Sequence, residues 1–218
     1  MRGESVLGAH VVAMKDVRSR KRARRRRASG QTLVEFALTF PIFVSMMIGI
    51  IEFSLVYNAL LSIGHASRDA ALAAAEAGNS AFADCLILRV VEQDVSAPAA
   101  DNRIQEVDIY RADQNGAVYG GQQNTYTRTG STSCTMPDGS TLTVPYTATS
   151  STYPASSRCD IIAGTAGGCQ SGHPTVDTIG VKITYLHSWV TPLPNLVSLS
   201  GSGATLVQST AMRMEPVL

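Results

Sequence analysis

One long apolar stretch constrains this chain more than any other feature. Residues 28–63 read ASGQTLVEFALTFPIFVSMMIGIIEFSLVYNALLSI, and no charged side chain lies between Glu35 and Glu52. Counted from Phe36 to Tyr57, the stretch has 22 residues and is interrupted only by Glu52. A helix rises ~1.5 Å per residue and needs ~20 apolar residues to cross the hydrocarbon of a bilayer. The sequence therefore predicts one membrane-spanning helix.

Basic residues flank this stretch on one side only. Lys and Arg near a membrane helix are retained on the cytoplasmic side. The first basic residue after the span is Arg68, whereas a dense run precedes it: Arg18, Arg20, Lys21, Arg22, Arg24, Arg25, Arg26 and Arg27. We therefore expect a single-pass protein with a cytoplasmic N-terminus and an extracytoplasmic C-terminal domain.

The whole-chain charge of +1 hides a strong asymmetry between the two parts of the chain. Residues 1–30 carry a net charge of +8, and residues 31–218 carry −7. A basic arm of this density could bind nucleic acid by neutralising phosphates. Because the run abuts a span whose orientation it explains, we do not expect nucleic acid as a partner. A twin-arginine export signal is disfavoured, since no Phe-Leu-Lys-like continuation follows Arg26 and Arg27.

All four cysteines lie on the expected outer side, where disulfides persist. They are Cys85, Cys134, Cys159 and Cys169. Four cysteines allow three pairings, and we favour Cys159 with Cys169 because the loop between them is short and rich in glycine. Unpaired thiols remain an alternative. A zinc site is disfavoured because the chain has no Cys-x-x-Cys spacing.

Glu35 is physically unusual, because it lies eight residues, ~12 Å of helix, after the last arginine of the run and within the inner margin of the membrane. The small residues Ala28, Ser29 and Gly30 precede it and offer a protease little obstruction. Cleavage after Gly30 would place the new amino group of Gln31 one helical turn from Glu35, where the two charges compensate. A solvated Glu35 that snorkels to the interface is the alternative.

The arrangement of these residues resembles the signature segment of TadE/TadG-like pilus assembly proteins. The segment of that family opens with Gly-Gln-x-x-Val-Glu-Phe-Ala, has a Pro six residues after the Glu, an Ile-Glu-Phe near its end, and then an Ala- and Arg-rich helix. In this chain the corresponding positions are Gly30–Ala37, Pro41, Ile51–Phe53 and Ala66–Ala75. The closing TAMRMEPVL is also similar to the last strand of the family.

The resemblance implies a pseudopilin of the tight-adherence (Flp, type IVc) pilus system in the cytoplasmic membrane of a bacterium. It implies cleavage by a prepilin peptidase between Gly30 and Gln31. The implied partners are the major pilin, other pseudopilins, the prepilin peptidase and inner-membrane platform proteins. The residues that we assign to assembly are Glu35, Phe36, Pro41 and Glu52.

Pro41 and Glu52 have separate physical consequences. Pro41 removes a backbone donor, so we expect a kink or local loosening near Ala37. Glu52 follows Glu35 by seventeen residues, ~25 Å along a helix and about 100° out of register, so the two carboxylates cannot act as an acid/base pair. We interpret Glu52 as a polar contact with a partner helix, or as an interfacial residue beside Tyr57.

The expected fold is α+β and pilin-like, with a 1–30 basic leader, a 31–78 helix and its extension, and a 79–218 extracytoplasmic domain. Residues 1–17 are expected to be disordered or weakly helical, and the long helix to stop at Gly78 and Asn79. Hydrophobic periodicity after Asn79 predicts a second helix and several strands, and a stretch rich in Gly, Ser and Thr predicts a loop. Their expected bounds are helix Ala81–Val95, strand Ile104–Arg111, a turn at Asp113–Gly116, a hairpin arm at Ala117–Tyr119, a Gly/Ser/Thr-rich loop 120–175 with a hairpin at Pro137–Gly139, and strands Thr178–Trp189 and Ala204–Met214.

Residues that could support catalysis do not form a recognisable motif. His173, Asp177, His187 and several serines are present, but no Gly-x-Ser-x-Gly elbow or phosphate-loop ending frames them. We therefore expect no enzyme activity, no cofactor and no small-molecule substrate. A signal-anchored extracytoplasmic binding module that is not part of a pilus is the alternative function.

Overall fold

The computed structural model describes the backbone of residues 5–160, 169, 175–191 and 203–215, and the side chains of these residues from Gly30 onward. The chain divides into two compact units, residues 1–51 and 52–218. The helices and strands are α1 (Ser5–Ala77), α2 (Ala83–Asp94), β1 (Ile104–Ala112), β2 (Val118–Thr127), β3 (Thr132–Thr135), β4 (Thr141–Val144), β5 (Thr147–Ser151), β6 (Thr178–Ser188) and β7 (Gly203–Arg213).

The first helix begins earlier than the sequence suggested and ends where it was expected to end. Its backbone is helical from Ser5, which includes residues 5–17, interpreted above as disordered or weakly helical. It stops at Ala77, where Gly78 has a φ of 60° and donates its N–H to the carbonyl of Ala74. A positive φ suits glycine because it has no Cβ, so the predicted stop is confirmed.

The second helix is shorter than the predicted Ala81–Val95 and turns a slightly different face to the core. The periodicity that predicts this helix also places Phe82 and Leu86 on its apolar side, but both are only half-buried. The buried face consists of Ala83, Cys85, Ile87, Leu88 and Val91.

The strands form an antiparallel five-stranded sheet in the order β5-β2-β1-β6-β7, and β3 and β4 form a separate hairpin. The central strands β1 and β6 pair from Ile104↔Tyr185 to Ala112↔Thr178. The alternating residues Ile179, Val181 and Ile183 are buried, as predicted. The α+β class and the strands at both ends of the domain are therefore confirmed.

The loop predicted for residues 120–175 was wrong over its first half. β2 continues to Thr127, and β3, β4 and β5 follow it within this range. The predicted hairpin at Pro137–Gly139 is present, since the N–H of Met136 donates to the carbonyl of Ser140 at 2.8 Å. These strands are polar and only partly buried, so they lack the apolar alternation on which the prediction depended. In the remainder of the predicted loop, residues 161–168 and 170–174 lie outside the described residues.

The core of the second unit lies between α1, α2 and one face of the sheet. One apolar stripe of α1 is buried at Ile63, Ala66, Ala70 and Ala74, while Leu61 is exposed. Small alanines let a helix approach a sheet closely, so this stripe can pack against large side chains. Those side chains come from α2 and the strands: Ile87, Leu88, Val91, Ile104, Val107, Ile109, Tyr126, Ile179, Val181, Ile183 and Tyr185.

Candidate functional site

The predicted processing residues lie on an uninterrupted, exposed helix. Gly30 and Gln31 are both within α1 and both exposed. A Cβ built on Gly30 would meet no heavy atom of the described residues within 4 Å. The helix therefore does not need a glycine at position 30 to avoid a clash within the described part of the chain.

Glu35 and Gln31 are joined by a hydrogen bond along the helix. The side-chain amide Nε2 of Gln31 donates to Oε1 of Glu35 at 3.1 Å, across one helical turn. Thr39 Oγ1 donates to the backbone carbonyl of Glu35 at 3.0 Å. The carboxylate remains exposed, as does Phe36, whose ring centroid lies 5.2 Å from that of Phe40. This turn of α1 thus presents a negative charge beside an aromatic pair.

The helix continues through Pro41. Ser45 Oγ is 2.9 Å from the carbonyls of both Pro41 and Ile42, to which it donates. From Gly30 to Ala77, α1 is long and apolar enough to cross a membrane. Between residues 33 and 51 its large apolar side chains are mostly exposed, as a lipid-facing helix requires: Leu33, Val34, Phe36, Leu38, Phe40, Ile42, Phe43, Met46, Met47, Ile50 and Ile51.

Glu52 is bound by the second unit itself. Its side chain is buried, and the residue is 6% exposed. Oε1 accepts the backbone N–H of Val190 at 3.2 Å, and Oε2 accepts that of Thr191 at 2.9 Å. Nε2 of His187 lies 3.3 Å from Oε1, and the His187 ring stands edge-on to Trp189 with centroids 6.0 Å apart. The carboxylate therefore holds the end of β6 against α1.

This geometry supplies a contact for Glu52 that sequence analysis did not identify. We had interpreted the residue as a contact with a partner helix or as an interfacial residue beside Tyr57. His187, considered above only among residues that could support catalysis, is buried against Glu52. The two residues are separated by 135 positions in sequence, and no local pattern indicates that they meet.

The four cysteines form two disulfides, Cys85–Cys134 and Cys159–Cys169. The second is the pair that we favoured. The first joins α2 to the β3–β4 hairpin, with Cα atoms 6.2 Å apart. This crosslink attaches the polar β3–β4 hairpin to the buried face of α2.

A buried polar network lies beside the Cys85–Cys134 disulfide. Asp84 accepts hydrogen bonds from Asn124 Nδ2 at 2.8 Å and from the hydroxyl of Tyr126 at 2.6 Å, and it forms an ion pair with Arg158. Burial, followed by the charge of Asp84, raises the pKa of Tyr126 well above its usual value. No sequence pattern identifies these residues, because acidic, amide and tyrosine side chains so far apart in sequence carry no shared motif.

Two further carboxylates each accept a hydrogen bond from a tyrosine hydroxyl and form an ion pair with an arginine. Asp177 accepts the hydroxyl of Tyr153 at 2.9 Å and pairs with Arg111 Nε at 2.9 Å. Glu92 accepts the hydroxyl of Tyr146 at 2.5 Å and pairs with Arg128. These carboxylates join α2, the strands and their loops into one structure.

The residues considered for catalysis are not brought together. Asp177 lies just before β6 and His187 near its end, so most of an 11-residue strand separates them. His173 lies outside the described residues. Within the described part of the chain, no group of three or more His, Cys, Asp or Glu side chains is placed to hold a metal ion.

Residues 30–72 match the family described as TadE-like protein. The match begins at Gly30 and covers the apolar span, Glu52 and the alanine-rich extension of α1. It confirms the resemblance found in the sequence and supports a protein associated with the tight-adherence pilus. No curated protein matches the chain. No solved structure matches it either.

Proposed function

We propose that this protein is a minor pilin-like, TadE-like component of tight-adherence (type IVc) pilus assembly. It is anchored in the bacterial cytoplasmic membrane with its N-terminus inside, and a prepilin peptidase cleaves it after Gly30. The observation that carries the proposal is the arrangement of Gly30, Gln31 and Glu35 on an exposed helix at the start of the apolar span, where the family match also begins.

The charges of this segment support the processing step. The Gln31 side chain already reaches Glu35 at 3.1 Å. Cleavage before Gln31 would add a positive amino group at the same end of the helix. A carboxylate one turn away, or on a neighbouring subunit, would then be compensated rather than left isolated in an apolar medium. In this proposal Glu35 aligns an incoming subunit by pairing with such an amino group.

The orientation and compartment follow from the flanks of the span. Ten Lys and Arg residues among the first thirty favour an N-terminus on the cytoplasmic side. Two disulfides in the region after the span fit an oxidising compartment outside the cytoplasm. The remaining partners that we propose are the major pilin, other pseudopilins and inner-membrane platform proteins.

Glu52 takes a structural role within the domain in this proposal. Its two oxygens bind the backbone N–H groups of Val190 and Thr191, so a partner helix would have to compete for them. Phe36 and Pro41 lie on the exposed apolar face of α1, where packing against other subunits is open to them. The protein acts by packing and alignment rather than by catalysis.

The proposal is tested by replacing Glu35 in the native gene. Glu35→Ala should reduce the pilin recovered from the cell surface to the level of a gene deletion, while the protein remains at normal abundance in the membrane. Glu76→Ala, at an exposed glutamate of the same helix, is the matched control and should leave pili unchanged. Normal pili in both Glu35→Ala and Glu35→Gln cells would refute the role of Glu35. Normal pili in the deletion strain would favour the anchored binding module instead.

A further inference from the structure

Exposed apolar side chains continue past Glu52 into the second unit. On α1, Phe53 is 71% exposed and Tyr57 is 52% exposed, and their rings stack with centroids 6.4 Å apart. Immediately after β6, Val190 is 65% exposed. Apolar and aromatic side chains that are exposed together, unlike single scattered ones, indicate a surface that another apolar phase covers.

Glu52 holds Val190 beside the turn of α1 that carries Phe53. It precedes Phe53 in α1, and its carboxylate binds the N–H groups of Val190 and Thr191 at 3.2 and 2.9 Å. The backbone at 190–191 is therefore fixed beside the turn of α1 that carries Phe53. Because His187 also contacts the carboxylate at 3.3 Å, three groups restrain the end of β6 there.

We propose that Phe53, Tyr57, Trp189 and Val190 form a collar that lies in the interfacial layer of the outer leaflet. In the sequence, the uncharged run ends at Ile51, two residues before Phe53, so the first aromatic residue of the collar follows the apolar span closely along the chain. Helix from Glu35 to Glu52 covers ~25 Å, close to the ~30 Å thickness of bilayer hydrocarbon. Tyr and Trp side chains, with apolar bodies and polar tips, are enriched at this depth.

The collar also explains how a carboxylate is tolerated at the outer margin of the membrane. A buried charge without partners is expensive in an apolar medium. Two backbone N–H groups and an imidazole satisfy Glu52 from within the same unit. The domain would then contact the membrane through the helix and also through residues 189–191, which restricts its tilt. This inference depends on the span and not on the proposed role in pilus assembly.

Trp189 makes the collar testable, because it is the only tryptophan in the chain. The full-length protein is placed at one copy per disc in phosphatidylcholine nanodiscs, and two kinds of quencher are compared. Lipids brominated near the headgroup should reduce Trp189 emission more than lipids brominated near the chain end. Iodide in the buffer should have little effect.

A second reporter at the other end of the sheet is the matched control. Val118 pairs with Ala112, which pairs with Thr178 at the start of β6, so Tyr119 lies far from Trp189. The double variant Trp189→Phe and Tyr119→Trp should be quenched by iodide and not by brominated lipid. Val190→Asp should raise iodide quenching of Trp189, while Val118→Asp, at the distant hairpin, should not.

Two results would overturn the collar. One is quenching of Trp189 by iodide as strong as that of the Tyr119→Trp reporter. The other is protection from both quenchers in single-copy discs, because protein rather than lipid would then cover the side chain. Co-elution of protein and disc verifies that the protein is embedded in either case.

Discussion

Glu52 and Thr191 are joined by a hydrogen bond of 2.9 Å from the backbone N–H of Thr191 to Oε2, across 139 positions of sequence. With the bond from Val190 to Oε1, it attaches the end of the central strand β6 to the long helix. The helix is therefore also part of the domain, since the carboxylate of Glu52 holds the end of β6 in place.

Replacing Glu52 should destabilise the domain. Glu52→Leu removes the acceptor of two partly buried backbone N–H groups, and a donor left unsatisfied away from water costs about 1–3 kcal/mol. Glu52→Gln retains one carbonyl oxygen and should fall between Glu52→Leu and the native protein. The free energy of unfolding is measured in detergent by denaturant titration, with Trp189 emission as the signal.

Glu76→Leu, at an exposed site on the same helix, controls for the loss of a glutamate and should change the unfolding free energy little. Equal stability of Glu52→Leu and the native protein would mean that the contacts with Val190 and Thr191 do not hold the domain to the helix.

The two disulfides should contribute unequally to stability. Cys85–Cys134 closes a separation of 49 residues and Cys159–Cys169 one of 10. Restriction of the unfolded chain predicts about 4 kcal/mol for the longer loop and about 3 kcal/mol for the shorter. We therefore expect the Cys85→Ser/Cys134→Ser variant to unfold at lower guanidinium concentration than Cys159→Ser/Cys169→Ser. The reverse order would show that the β3–β4 hairpin does not depend on its crosslink to α2.

Asp94 should destabilise the protein at neutral pH. Burial, followed by the charge of Asp69, raises the pKa of Asp94 above its ordinary value of 3.8. The residue is also the last of α2, where a negative charge opposes the helix dipole by ~0.3–1 kcal/mol. Because the folded state binds the proton more tightly, the native protein gains stability as pH falls through the folded pKa. Asp94→Asn should thus be more stable than the native protein at pH 7, and this difference in unfolding free energy should vanish below pH 3.8.

Asp138 is the control for Asp94, because its pKa is shifted in the opposite direction. Hydrogen bonds from the side chain and backbone of Ser140 lower its pKa below 3.8. Its ionised form therefore stabilises the hairpin above that pH, and the effect is lost as pH falls through the folded pKa. Asp138→Asn should destabilise at pH 7 and match the native protein in strong acid. Thermal unfolding between pH 2.5 and 7 measures both variants, and parallel pH profiles for them would contradict these assignments.

The sequence predicted those helices and strands that a pattern within one short segment specifies. The strand at Ile179, Val181 and Ile183 and the helix stop at Gly78 are of this kind, because periodicity and glycine chemistry are local. β2 could not be predicted over its full length. Gln123 and Asn124 carry no apolar alternation, and they lie in a strand because β1 pairs with both residues and β5 pairs with Asn124.

The same distinction between local and long-range contacts applies to the residues of the candidate site. Gln31 and Glu35 lie one helical turn apart, so their spacing alone placed them within reach of each other, and the Gln31 side chain does contact the carboxylate. The partners of Glu52 lie at the far end of the chain, beyond every strand but one. Only the folded sheet brings Val190 to that carboxylate, and no pattern around Glu52 specifies it.

Mass spectrometry of the N-terminal peptide tests the central claim, that this protein is processed as a pilin. Membranes are taken from cells that make the pilus, with and without an active prepilin peptidase, and from cells that carry Gly30→Val. A Cβ at position 30 meets no described atom within 4 Å, so steric conflict within the described chain does not explain a loss of cleavage in that variant. We predict Gln31 as the first residue only when both the peptidase and Gly30 are present. A leader retained in all three strains would contradict the claim.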